Sequence, residues 1–163
     1  MSSTFSALDK LDIRALIEAV ASNPSDPTLG HLLTPAHWAI LSGYMQATSL
    51  APGQVLISQG ADDRTLFFVE SGMLTVHFEE PSGKIRLAAV GAGSVVGEGG
   101  FFSFMARSAT VQAGSACKLW ALTPMRFSEL SNRQPAVALA LAMALGAIMA
   151  KRVVSNRKRI AIT

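Results

Sequence analysis

The sequence predicts a mainly β domain with flanking helices: N-terminal helices, an eight-stranded antiparallel β-roll, then a short and a long C-terminal helix. Two observations carry this. From residue 50 onward, turn signals recur about every seven to twelve residues: Pro52-Gly53, Gln59-Gly60, Ser71-Gly72, Pro81-Ser82-Gly83 and Gly91-Ala92-Gly93. The runs between them (VLIS, TLFFVE, LTVHF, IRLAAV) are strand-length and apolar, the pattern of a sandwich or barrel. On either side of this region the apolar spacing becomes helical.

Taken in order, Phe5, Leu8, Leu11, Ala15, Leu16 and Val20 recur at helical spacing and predict an amphipathic helix over 4–22. Asn23-Pro24-Ser25-Asp26-Pro27 ends it. Thr34-Pro35 reads as an N-cap followed by proline in the first turn, and Trp38, Leu41 and Met45 extend a second helix to about Gln46. The β-roll then runs over 49–123, with a further strand after Val111 and a last one, KLWALT, ending at Pro124. Thr123-Pro124 starts a short helix and Pro135 a long one to about Arg159, so 124–163 is helical. Residues 1–48 are an N-terminal extension of the same single domain.

The chain has 163 residues, half of them apolar and 15% charged, which is enough to bury a core without staples. The single cysteine, Cys117, excludes an internal disulfide and reads as a core residue. No basic start followed by an apolar run precedes the first helix, so a cytoplasmic protein is expected. Residues 136–150, AVALALAMALGAIMA, fall short of the ~20 needed to span a bilayer and are expected to form a buried helix. The run is apolar all round, so one face should meet the roll and the other a partner. Lys151, Arg152, Arg157, Lys158 and Arg159 give five positive charges with no acid among them, while the rest of the chain is close to neutral. Cations at a solvated helix end suit its dipole. The alternatives are contacts with phosphate, an acidic partner or a nucleic acid. His31, His37 and His77 are scattered, which argues against a metal enzyme on a β-roll. No Ser/His/Asp or Cys/His pairing stands out, and no enzyme is expected. Asp62-Asp63 reads as a solvated turn.

The segment VVGEGGFFSFMARSATV, residues 95–111, poses the functional question. Between Arg86 and Lys118 only Glu98 and Arg107 are charged. A charge in an apolar segment costs several kcal/mol unless paired or solvated. The two could pair with each other. Alternatively they serve a ligand: arginine's fork suits phosphate or carboxylate, and a glutamate accepts from a hydroxyl. Gly97, Gly99 and Gly100 allow close backbone approach and an anion-binding turn. Together these describe a site for an anionic centre beside a hydroxyl, as in a sugar phosphate.

Gly97-Glu98, a short helical turn and Arg107-Ser108-Ala109-Thr110 resemble the phosphate-binding cassette of the cyclic nucleotide-binding domain family, here 97–110. The resemblance extends to PGQVLISQG (52–60) and LFFVESG (66–72), and residues 35–158 can be laid on the family. It implies a double-stranded β-helix of jelly-roll type, like the cAMP- or cGMP-binding roll of catabolite activator proteins and kinase regulatory subunits. It implies that Arg107 holds the cyclic phosphate, helped by Ser108 and the amides near Gly99, Gly100 and Ala109. Glu98 and the Gly97 backbone would take the ribose 2′-hydroxyl. The last helix would act as a lid, with Arg152 pairing with Glu98 and with Asn156 and Arg157 near the base. The expected ligand is cAMP or cGMP, with no cofactor besides. A homodimer through the long helix, an unknown downstream protein, no helix-turn-helix after 163 and no membrane span complete the expectation. Ala106 departs from the proline often found there, and Phe101–Met105 is unusually apolar, so it should pack under the lid or mark a partner surface. A domain that keeps the fold but binds no ligand is the competing reading.

Overall fold

The computed structural model describes residues 12–162, apart from the side chains of residues 86, 87 and 156–162. Three helices come first: α1 (Arg14–Ala21), α2 (Thr28–Leu32) and α3 (Pro35–Ser42). Eight strands follow: β1 (Gln46–Leu50), β2 (Val55–Ile57), β3 (Leu66–Ser71), β4 (Leu74–Glu80), β5 (Gly83–Val90), β6 (Val95–Val96), β7 (Thr110–Ala113) and β8 (Cys117–Leu122). Helix α4 (Glu98–Ser103) sits between β6 and β7, and α5 (Pro124–Arg133) and α6 (Pro135–Ile162) close the chain. The strands form two four-stranded antiparallel sheets, β1-β8-β3-β6 and β2-β7-β4-β5. This is the expected β-roll with flanking helices.

The apolar runs reflect burial on both faces of the first sheet. Leu66 and Phe68 on β3 join Trp120 and Leu122 on β8 in a core shared with the helices. Phe67, Val69, Cys117 and Leu119 point the other way, into the roll, against Leu74, Val96 and Val111. Alternation therefore vanishes from LFFV, because neither face is wet. Cys117 is buried, as expected.

Both threonine caps form: the Thr34 and Thr123 hydroxyls accept from the amides of His37 and Arg126, each at 3.2 Å. His37 Nδ1 accepts from the Thr34 amide at 3.1 Å, which gives that histidine a capping role.

Four boundaries differ from expectation. The first helix, as described, is Arg14–Ala21, and residues 4–11 of the expected span lie outside the described residues. Thr28–Leu32 is helical although it follows a proline-rich break; Leu29 anchors it in the core. The helix from Pro35 ends at Ser42 rather than Gln46. The roll starts at Gln46 rather than 49, because QATSL pairs along β8 as an edge strand. That strand buries only Leu50, so it carries no alternating signal.

Helix α6 buries Val137, Ala138, Leu141, Ala144, Leu145 and Ile148 in the helical core. By length and composition its segment Pro135–Ser155, mean hydropathy 1.9, is sufficient to cross a membrane, which the fifteen-residue apolar run alone did not suggest. A core helix meets the same criterion, and one face of α6 is core.

Candidate functional site: a cavity between the cassette helix and the long helix

Gly97 turns the chain from β6 into α4 with φ +86, a left-handed conformation that glycine adopts without strain. A Cβ there would sit 2.8 Å from the Thr65 carbonyl oxygen and 2.9 Å from Arg107 Nη1. The Gly97 carbonyl accepts from the Phe101 amide at 3.1 Å and from Arg107 Nη1 at 2.9 Å. Both its lone pairs are thereby used, so the part left to Gly97 is the turn itself rather than acceptance from a sugar hydroxyl.

Arg107 is fixed at both ends. Its amide donates to the Ala61 carbonyl and its carbonyl accepts from the Gly60 amide, each at 2.8 Å. Its guanidinium is 5% exposed. Nη2 donates to the Thr65 carbonyl at 2.6 Å and to Asp63 Oδ2 at 2.9 Å. Nε is buried and has no partner among the described residues. A buried, charged donor without an acceptor is costly.

Glu98 and Arg107 therefore do not pair with each other. Arg107 takes Asp63, and Glu98 takes Arg152, whose Nη1 lies 2.5 Å from Glu98 Oε1. The expected Glu98–Arg152 contact is present, while Asp62-Asp63 is more than a solvated turn. Burial alone would raise the Asp63 carboxyl, but hydrogen bonds from Arg107 and Thr65 outweigh it and hold the group below its ordinary value. The sequence carried one hint of this role: a buried arginine needs a counter-ion, and Glu98 was not the only carboxylate a turn could bring back. Asp63 accepts from the Thr65 amide at 3.1 Å, an Asx turn that aims its carboxylate inward.

Gly97, Glu98, Gly99, Gly100, Arg107, Ser108 and Ala109 all line one cavity of about 1440 Å³. Its apolar wall includes Ile57, Val76, Val96 and Val111, and α6 adds Ala150, Arg152 and Val154. Gly99 has open space where a side chain would stand. The cavity thus has an arginine, a carboxylate and apolar side chains in its wall, which suits an amphiphilic ligand with an anionic group. The side chains of Asn156 and Arg157 lie outside the described residues.

The apolar segment divides: Phe101 is buried in the core shared with α6, while its end is displayed. Phe104 is 78% and Met105 70% exposed. Phe104 takes φ 59, unusual for a non-glycine, and the Arg64 guanidinium lies 3.7 Å from its ring centroid. Arg64 Nη2 also donates to the Phe101 carbonyl at 2.9 Å, satisfying the C-terminal end of α4. Among the described residues no three His, Cys, Asp or Glu side chains gather as a metal site.

A double-sheet roll with a glycine-turned helix and a buried arginine lining a cavity is an arrangement that suits a small-molecule-binding module. The chain belongs to the cyclic nucleotide-binding domain family, whose sequence pattern matches residues 47–134. It is 34% identical over 108 residues to glutaminase 2 of Bradyrhizobium diazoefficiens, covering 66% of this chain and 17% of that protein. It is 30% identical over 130 residues to the cAMP-activated global transcriptional regulator CRP of Escherichia coli O157:H7, covering 78% of this chain and 56% of the regulator. The chain thus spans a fifth or less of the first relative and little more than half of the second. A solved cyclic nucleotide-binding domain from Methylobacillus flagellatus shares the fold with a TM-score of 0.79 at 21% identity, over 93% of this chain and 84% of that one.

Proposed function

We propose that this chain is a cytoplasmic sensor module for a cyclic mononucleotide, cAMP or cGMP, and regulates a downstream protein rather than catalysing a reaction. The observation that carries the reading is Arg107: a buried guanidinium fixed by three protein acceptors and lining the same cavity as Glu98. In this reading Arg107 and Ser108, with the amides around Gly99, Gly100 and Ala109, hold the cyclic phosphate. Glu98, steadied by Arg152, accepts from the ribose 2′-hydroxyl through its second oxygen. No cofactor is needed besides the nucleotide. Residues 97–110 act as the cassette and 124–163 as the lid, with Asn156 and Arg157 toward the base. Ligand shifts the lid only by as much as it prefers the closed state.

The outer face of α6 supports a homodimer. Ala136, Leu139, Met143 and Gly146 are exposed and follow one another at steps of three, four and three, the seam of a two-helix coil. Leu139 and Met143 are each 64% exposed, which two copies packed along this seam would relieve.

The second reading is a ligand-free scaffold, favoured by the display of Phe104 and Met105 beside the cassette. Thermal unfolding with cAMP and cGMP up to about 1 mM separates the two. Ligand at 100 times its dissociation constant adds ~2.7 kcal/mol, or roughly 5 to 10 °C for a chain of this size. A shift of that order, lost in Arg107→Ala, is expected, and the larger shift names the base. No shift with either nucleotide would favour the scaffold.

A further inference from the structure

Lys151 and Arg152 are consecutive on α6, so they leave the helix in different directions. They reach two different elements that border the cavity. Arg152 reaches Glu98, and its Nη2 donates to the Val95 carbonyl at 2.8 Å. Lys151 Nζ donates to Thr28 Oγ1 at 2.6 Å and lies 3.5 Å from Asp26 Oδ1. Thr28 is bound to that same oxygen, through its amide at 3.0 Å and through its hydroxyl.

From there the contacts run back to the cassette strand. The Asp26 amide donates to Asn23 Oδ1 at 3.4 Å, and Asn23 Nδ2 donates to Ser94 Oγ at 3.3 Å. Ser94 adjoins Val95, where Arg152 is bound. The circuit is closed: α1–α2 loop, β5–β6 turn, α6, and the loop again. Two further facts make it a built feature. Asn23 is buried, 8% exposed. Gly93, with φ +84, lies so close to α1 that any Cβ would collide with the Ala19 carbonyl, which fixes the turn against the helix. Burial alone would raise the Asp26 carboxyl, yet the Thr28 and Lys151 contacts hold it below its ordinary value, so the carboxylate persists at neutral pH.

We propose that Asp26 and Thr28 form a clasp on Lys151, a second anchor of the long helix outside the cassette, which couples the α1–α2 loop to the ligand cavity. The ligand half of this inference rests on the nucleotide reading. With the clasp closed the cavity still measures about 1440 Å³, and Ala150 and Val154 form part of its wall. In this proposal the clasped position of α6, which places those residues in the wall, is the binding-competent one. Opening the clasp lowers the competent fraction, and apparent affinity falls with it. By reciprocity, ligand in the cavity tightens the α1–α2 loop.

Lys151→Met keeps the aliphatic stem and helix propensity while removing the charge, and Asp26→Asn weakens the other side. Neither touches Arg107 or Glu98, but Asp26 and Lys151 themselves line the cavity, so exchange, not affinity alone, decides the clasp. The first experiment is hydrogen exchange on the full chain without ligand. Both variants should exchange several-fold faster at residues 23–28 and 150–155, with β3 and β8 unchanged. Unchanged exchange in those two segments overturns the clasp. The second is titration with cAMP and cGMP. Each single variant should bind about three- to five-fold more weakly, the scale of a half-exposed ion pair, and the double variant no more weakly than either single. If Arg107→Ala abolishes binding while Lys151→Met and Asp26→Asn bind as the wild type does, the clasp is overturned and the nucleotide reading stands. If the wild type binds neither nucleotide, that reading has failed, and exchange alone decides the clasp.

Discussion

Arg107→Ala is expected to weaken the fold even without ligand, and the size of the effect can be worked from its contacts. The substitution strips the Thr65 carbonyl of a 2.6 Å bond, at about 1–2 kcal/mol for a buried acceptor left unpaired. The Gly97 carbonyl keeps its bond from Phe101 and loses little. Asp63 is half exposed, so water replaces much of the ion pair, which counts for about 0.5–1 kcal/mol. Two buried methylenes of the stem add about 1.5 kcal/mol. Against these, the unpaired buried Nε disappears, returning about 1 kcal/mol. The net loss is about 2–3.5 kcal/mol, which lowers Tm by roughly 4 to 14 °C in a domain this size. Differential scanning calorimetry without nucleotide reads this directly, and Arg107→Lys should fall between wild type and alanine. A Tm for Arg107→Ala unchanged within about 1 °C, or raised, would refute the reasoning. It would mean that the desolvated guanidinium costs as much as its three acceptors supply.

Gly97→Ala should cost about 1–3 kcal/mol, from the left-handed φ and the approach of its Cβ to the Thr65 carbonyl and Arg107 Nη1, and should weaken nucleotide binding through the displaced guanidinium; urea unfolding and titration check both. Asp63 has a folded pKa below its ordinary 3.8, so the stability it contributes is present above that value and is lost as pH falls through the depressed one. Unfolding measured from pH 5 to pH 2 should show a smaller loss in Asp63→Asn than in wild type. Leu139→Lys with Met143→Lys should convert a dimer to a monomer in sedimentation velocity while leaving Tm in dilute protein nearly unchanged, because both side chains stand outside the core.

The cassette was legible in the sequence because its chemistry is local. Gly97-Glu98 and Arg107-Ser108 lie close along the chain, and the glycine turn that joins them needs only its own backbone. Leu66–Val69 announced a strand through apolarity alone. Polar QATSL did not, since an edge strand exists only by virtue of the strand it pairs with. The unexpected partner Asp63 has the same origin: 44 residues separate it from Arg107, and nothing in the local pattern distinguishes it from Asp62.

What the sequence determined by itself was which segments prefer turn, strand or helix, and that one arginine and one glutamate must be reconciled with an apolar setting. These are consequences of side-chain type and short-range spacing. The tertiary structure alone decided how that reconciliation is made. Closing the roll brings Thr65 and Asp63 beneath Arg107, and laying α6 across the cassette gives Glu98 to Arg152 and Lys151 to Asp26. Partners distant in the chain are chosen by how layers pack, and a buried charge takes whichever acceptor the packing delivers.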